Sequence, residues 1–80
     1  MLVEEVKVLI ESGLENTEVM VEGDGSHFSA TVISDTFIGK SMLEQQKLVM
    51  ATVNEQIRSG DLHALSIKSY TCNEWEKLNA

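Results

Sequence analysis

Two runs in which apolar and polar residues alternate, joined by a short glycine-containing segment, constrain the fold more than any other feature of this chain. The runs cover residues 17–22 and residues 27–34. A period of two is typical of a half-buried β-strand, and the Gly-Asp-Gly-Ser sequence at residues 23–26 has the composition of a turn. The apolar residues that would share one face are Val19, Val21, Phe28, Ala30 and Val32. The pattern therefore predicts an antiparallel β-hairpin with one face directed to a core.

Helices are predicted on both sides of this hairpin. Residues 2–14 carry apolar residues at helical spacing, and Gly13 is a plausible stop. Residues 35–40 indicate an irregular turn or a half-formed helix. A long helix is then expected to begin at Ser41, where Glu44 completes a capping box, and to end at Gly60.

The long helix carries the pattern of a helix that lies on a sheet. Its core-facing stripe is predicted to be Met42, Val49, Val53 and Ile57, with Leu43 and Met50 beside it. Gln46 lies on or close to this stripe. A buried amide must find hydrogen-bond partners, and we expect Gln46 to satisfy a loop backbone.

A third strand and a last helix complete the chain. Residues 62–70 form the strand, and Thr71 with Glu74 forms a second capping box before a helix that contains Trp75. Because a helix joins the second and third strands, these should be parallel with a right-handed crossover. The predicted fold class is α/β (α+β), in the order α-β-β-α-β-α, with a mixed three-stranded sheet covered by helices on one face. Eighty residues are expected to form one domain, residues 1–80.

Charge and composition argue against several classes of function. The formal charge is −7, with 6 basic residues against 13 acidic ones, which disfavours non-specific binding to phosphate backbones. No apolar run approaches the roughly 20 residues that span a bilayer. Residues 1–12 are acidic rather than signal-like, and the single Cys72 can form no internal disulfide, so a cytoplasmic location without membrane contact is expected. The sequence contains no Ser-His-Asp set, P-loop or HExxH motif, and catalysis is not expected.

Three side chains have chemistry to offer, and each has an ordinary structural alternative. His63, at the start of the third strand, is either a metal ligand or a strand-end residue that packs against Leu62. His27 is either a ligand or a turn residue with local hydrogen bonds. Cys72 lies near a helix N-terminus, where the helix dipole favours a thiolate, so it is either reactive or an ordinary helix-start residue. We do not assign Cys72 as a ligand.

Three ordered motifs resemble one known family over nearly the whole chain. They are Asp-Gly-Ser-His-Phe at residues 24–28, Val-Ile-Ser-Asp-Thr-Phe-Ile-Gly-Lys-Ser at residues 32–41, and His-Ala-Leu-Ser-Ile-Lys at residues 63–68, continuing to Trp75. These motifs and their separations resemble the BolA-like family, especially its bacterial IbaG/YrbA branch.

The resemblance implies a fold, a partner and one or two ligands from this chain. The family fold is a class II KH-like α/β domain, and members are non-enzymatic partners of monothiol glutaredoxins that carry a CGFS motif, in iron–sulfur cluster trafficking, iron homeostasis and stress response. The two proteins share a [2Fe–2S] cluster whose other ligands are a glutaredoxin cysteine and glutathione. Carried over to this chain, the family's C-terminal histidine ligand is His63, and the variable loop ligand falls in residues 23–27, where His27 is the good donor. The free protein is then expected to be a monomer without a cofactor, and to form a heterodimer with its partner.

The chain also departs from the family pattern, which bears on the rival function. Gln45-Gln46-Lys47 stands where many members have Arg-His-Arg, and Cys72 stands where a proline is expected. The KH-type Gly-x-x-Gly loop that clamps nucleic-acid backbones is missing, with only Gly39 in that turn. These differences weaken the alternative of a KH-like, nucleic-acid-binding transcriptional or stress regulator more than they weaken cluster sharing. A plain interaction adaptor whose histidines bind no metal is the third hypothesis.

Overall fold

A mixed three-stranded sheet forms the centre of the molecule. The computed structural model describes residues 1–24 and 27–79. Strands β1 (Thr17–Gly23), β2 (His27–Ser34) and β3 (Ala64–Tyr70) lie in the spatial order β1-β2-β3. β1 and β2 are antiparallel and β2 and β3 are parallel, as predicted. Two residues of the predicted turn, Gly25 and Ser26, lie outside the described residues.

Among the described residues, four helices accompany the sheet: α1 (Val3–Gly13), α2 (Met42–Thr52), α3 (Asn54–Ser59) and α4 (Cys72–Leu78). A 3₁₀ turn at Asp35–Phe37 occupies part of the segment where an irregular turn was predicted. Both predicted capping boxes are present, at the starts of α2 and α4. In the described part of the chain, no helix is long and apolar enough to cross a membrane.

The prediction of a single long helix that ends at Gly60 is wrong, because the helix is interrupted at Val53. The hydroxyl of Thr52 donates to the Val49 carbonyl at 2.6 Å. This is the carbonyl that the Val53 amide would use in a regular helix, and the Val53 amide donates to the Met50 carbonyl instead, at 3.2 Å. The backbone at Val53 leaves the helical region, with φ −121° and ψ 13°, while its side chain is fully buried. The interruption therefore ends α2 and lets α3 start as a separate segment, with Val53 buried in the core.

The core lies between the sheet and the first three helices. Val49 and Val53 are buried and Ile57 is half-buried, but Met42 is 60% exposed, so the predicted stripe is wrong at its first position. The polar residue of α2 that enters the protein core is Gln45, which is 8% exposed. The described core consists of Val6, Ile10, Val19, Phe28, Ala30, Val32, Phe37, Val49, Val53 and Leu62.

Gln45 is buried because it bonds in three directions. Its amide nitrogen donates to the Lys40 carbonyl at 2.9 Å and to the Phe37 carbonyl at 3.4 Å. Its amide oxygen accepts the Ser69 hydroxyl at 2.7 Å. The loop-satisfying amide expected at Gln46 is thus supplied by its neighbour, while Gln46 donates to the Ile67 carbonyl of β3 at 3.0 Å.

The second face of the sheet carries small and polar side chains over most of its area. Strand pairing places Ser29 opposite Ser66 on this face, and Thr31 opposite Lys68. At one end the pair Ile33 and Tyr70 is covered by α4, whose indole ring lies 5.4 Å from the Tyr70 ring. The rest of the second face is open.

Candidate functional site

The two predicted ligand residues lie at one end of the sheet. Because β2 and β3 are parallel, both strands begin at the same end of the sheet. His27 is the first residue of β2, and its Cα is paired with that of Ala64, the first residue of β3. His63 directly precedes Ala64, and both imidazoles belong to exposed residues. The register therefore places two histidines that are 36 positions apart in the sequence at the same end of the sheet.

His63 is held in place by the tight connection between α3 and β3. Gly60 ends α3 in the left-handed region, with φ +89°. The Leu62 amide then donates to the Gln56 carbonyl at 3.0 Å, and the Leu62 side chain is buried. The strand begins at Ala64, not at residue 62 as predicted, because Leu62 is used to close this connection into the core. His63 follows a fixed residue and is itself exposed.

His27 is held by a reciprocal contact with Asp24. The His27 amide donates to the Asp24 carboxylate at 3.0 Å, and the Asp24 amide donates to the His27 carbonyl at 3.3 Å. Gly23 has no room for a side chain, since a Cβ there would lie 2.5 Å from the Phe28 ring and 2.7 Å from the His27 carbonyl oxygen. The sequence pattern indicated Asp24 only as a turn residue. The signal that would have identified it is an aspartate three residues before the histidine, the spacing of a side chain that accepts from a backbone amide in a turn.

A shallow depression of about 410 Å³ opens beside His27. Its lining residues are Glu22, Gly23, Asp24, His27, Phe28, Ser29 and Ser66. His63 is not among these residues, so the depression adjoins the pair of histidines without enclosing both. The side chains that line it bring carboxylates and hydroxyls next to one imidazole, and the surface is open to a partner.

The donor set fits a metal centre that is shared with a second molecule. Among residues 1–24 and 27–79, no group of three or more His, Cys, Asp or Glu side chains is placed to hold a metal ion. Two exposed imidazoles at one strand edge supply two donor nitrogens, and four ligands complete a [2Fe–2S] cluster. The remaining donors would have to come from a partner, which agrees with the ligand division that the family resemblance implies.

Cys72 does not have the environment of a reactive thiolate. It is the first residue of α4, where the helix dipole by itself favours a thiolate, yet its pKa is raised. The main cause is a hydrogen bond from the thiol to the Asp35 carboxylate, and the negative charges of Asp35, Glu76 and Glu18 act in the same direction. Of the two alternatives, this environment favours an ordinary, exposed helix-start residue over a reactive thiolate.

Comparison with known proteins identifies the family. The model of the BolA-like protein family matches residues 1–74. This chain is a BolA-like protein. The acid stress protein IbaG of Escherichia coli strain K12 is 37% identical over 73 residues, which cover 91% of this chain and 87% of that protein, and places it in the IbaG branch.

Two further relatives agree with this assignment. A BolA homologue from Coxiella burnetii has a solved structure that superposes with a TM-score of 0.87 at 40% identity, covering 95% of this chain and 97% of that one. The DNA-binding transcriptional regulator BolA of Vibrio cholerae is 36% identical over 74 residues, which cover 92% of this chain and 66% of that protein. The fold and family predicted from the sequence are thus confirmed.

Proposed function

We propose that this BolA-like protein is a non-enzymatic, cytoplasmic partner of a monothiol glutaredoxin and helps to hold a [2Fe–2S] cluster in iron–sulfur cluster trafficking. In this proposal His63 supplies one ligand and His27 supplies a second. The remaining ligands come from the glutaredoxin cysteine and from glutathione. The isolated protein carries no cluster.

The observation that carries this proposal is the parallel register of β2 and β3. It places the Cα of His27 opposite that of Ala64, which directly follows His63, at one end of the sheet. His27 and His63 are both exposed there. Neighbouring strands lie about 4.8 Å apart, so the two imidazoles start from backbone positions close enough to serve one centre. His63 follows Leu62, whose amide donates to the Gln56 carbonyl, and the backbone of His27 is hydrogen-bonded to Asp24.

Imidazole ligation would change the character of the cluster. When histidine replaces thiolate on a [2Fe–2S] centre, the ligand set becomes less negative and the reduction potential rises. A cluster first held only by thiolates would therefore become easier to reduce once these imidazoles reach it. This chemical difference gives docking a measurable consequence.

The test is a titration followed by visible circular dichroism. A monothiol glutaredoxin reconstituted with a [2Fe–2S] cluster and glutathione is titrated with the wild-type protein and with His63→Ala and His27→Ala. We expect the wild type to produce a new cluster spectrum that saturates at one equivalent. His63→Ala should abolish that spectrum, and His27→Ala should alter it.

Ser66→Ala is the matched control. Ser66 lies near the start of β3, close to His63, and lines the depression beside His27. Its hydroxyl is not one of the proposed cluster ligands. The control should reproduce the wild-type spectrum. If the glutaredoxin spectrum is the same with and without the wild-type protein, or if both histidine variants behave as wild type, the ligand assignment fails.

The alternative is a nucleic-acid-binding regulator, which the name of the Vibrio cholerae relative favours. Against it stand the net charge of −7 and the single Gly39 in place of a Gly-x-x-Gly loop. A gel-shift series at rising salt separates the two functions. Binding in the micromolar range or tighter that falls steeply with salt would support the regulator.

A further inference from the structure

The free edge of β3 and the adjacent side of α2 form a groove that is distinct from the histidine pair. β3 is the last strand of the sheet, so backbone groups of alternate residues face away from β2. The Gln46 side-chain amide reaches one of them, the Ile67 carbonyl, at 3.0 Å. This bond shows that α2 lies alongside the edge and that the Ile67 carbonyl is directed outward.

Apolar side chains of α2 flank this hydrogen bond. Residues at spacings of three and seven lie on one side of a helix, which puts Leu43 one turn before Gln46 and Met50 one turn after it. Leu43 is 64% exposed and Met50 is 37% exposed. An exposed strand edge lined by two exposed apolar side chains is the arrangement that accepts an added strand.

The charge of this surface selects the kind of strand. Lys68 of β3, which lies beside this edge, is exposed. In an added strand, successive side chains point alternately to the two faces of the sheet. Those on the core face would meet Leu43 and Met50, and those on the second face would meet Lys68, which is paired with Thr31 there.

We propose that this α2–β3 groove binds an extended segment of a partner protein in which apolar residues alternate with acidic ones, added to the sheet as a fourth strand beside β3. The apolar residues pack on Leu43 and Met50, and the acidic ones pair with Lys68. The segment's backbone takes over the Ile67 carbonyl from Gln46. This inference concerns a surface away from the imidazoles and does not depend on the cluster proposal.

The probe is a capped eight-residue peptide that alternates Val or Leu with Glu, added to the whole protein and followed by amide NMR. We expect the peptide to slow hydrogen exchange at the amides of Leu65 and Ser69, which face the same side of β3 as the Ile67 carbonyl. Leu43→Glu should weaken binding by about tenfold or more, which corresponds to the loss of one apolar contact and the gain of a like charge. Gln46→Ala should bind at least as tightly as wild type, because the competing amide is gone.

Val8→Glu is the matched control, since Val8 is an equally accessible apolar residue on the outer side of α1, 55% exposed. It should leave the affinity unchanged. The inference is overturned if the β3 amides are not protected, if a peptide with Lys in place of Glu binds as well, or if Gln46→Ala abolishes binding. It is also overturned if a single-stranded oligothymidine protects the same amides while the peptide does not, or if sedimentation without peptide shows a dimer that Leu43→Glu converts to a monomer.

Discussion

Replacing Gln45 by methionine should destabilise the protein more than any single change at its histidine pair. Gln45 joins the loop before α2 to strand β3 through its amide, which is 8% exposed. Methionine has a similar length and fills the space without polar contacts, so the change isolates the hydrogen bonds from the packing. We expect the loop, α2 and β3 to lose a shared connection.

The magnitude follows from the bonds that are lost. Two are short, to the Lys40 carbonyl at 2.9 Å and from the Ser69 hydroxyl at 2.7 Å, and each contributes about 1 kcal/mol net. The Phe37 carbonyl lies at 3.4 Å and keeps the Lys40 amide as a donor, so its share is small. The buried Ser69 hydroxyl would lose its short acceptor, which costs about 1 kcal/mol more. The free energy of unfolding should therefore fall by about 3 kcal/mol, and Tm by roughly 12–24 °C for a domain of this size.

Urea unfolding followed by far-ultraviolet circular dichroism measures the change. Gln46→Met is the matched control, because Gln46 is half-buried and donates one bond, to Ile67, so a loss of about 1 kcal/mol is expected. Ser69→Ala and the double variant complete a cycle, in which the two single changes should be clearly non-additive. A loss below about 1 kcal/mol for Gln45→Met, or one equal to that of Gln46→Met, would refute the reasoning.

Three further predictions concern the turn, a helix cap and the thiol. Gly23→Ala should reduce the free energy of unfolding by about 1–3 kcal/mol in urea, since its Cβ would lie 2.5 Å from the Phe28 ring. The pKa of Glu44 is lowered, chiefly because its carboxylate accepts a hydrogen bond from the Ser41 backbone amide. The contribution of Glu44 to the free energy of unfolding is therefore present above its unfolded-state pKa and is lost as the pH falls through its folded-state pKa. Glu44→Gln should therefore lose less stability than wild type between neutral and acidic pH, and parallel losses would contradict this. Alkylation of Cys72 by iodoacetamide should be faster in Asp35→Asn, because the carboxylate raises the thiol pKa, and an unchanged rate would count against that cause.

Local signals in the sequence predicted much of this fold. The capping boxes at Ser41 and Thr71 appear in the structure at their predicted positions, because each box is formed by two residues only three positions apart. The alternating runs formed the expected hairpin, and the parallel pairing of β2 and β3 followed from the helical connection between them.

The errors lie where a residue responds to distant neighbours. The face that α2 turns to the core is set by Gln45, whose partners are a preceding loop and Ser69 of β3. The spacing of apolar residues does not predict a buried amide of this kind. The break at Val53 likewise depends on Thr52 and on the position of the core, since both residues are compatible with a continuous helix. For Cys72, the helix start was visible in the sequence, but the Asp35 carboxylate that raises its pKa reaches it only through the fold.

The candidate site divides in the same way. Which side chains carry ligand chemistry can be read from the chain, because His27 and His63 are its two imidazoles and each lies in one of the motifs. That both lie at the same end of the sheet depends on the fold, because the pairing of His27 with Ala64 and the burial of Leu62 fix where the two strands start relative to each other. Hydrogen-bond register and core packing are interactions between residues far apart in the chain, and local pattern alone leaves them open.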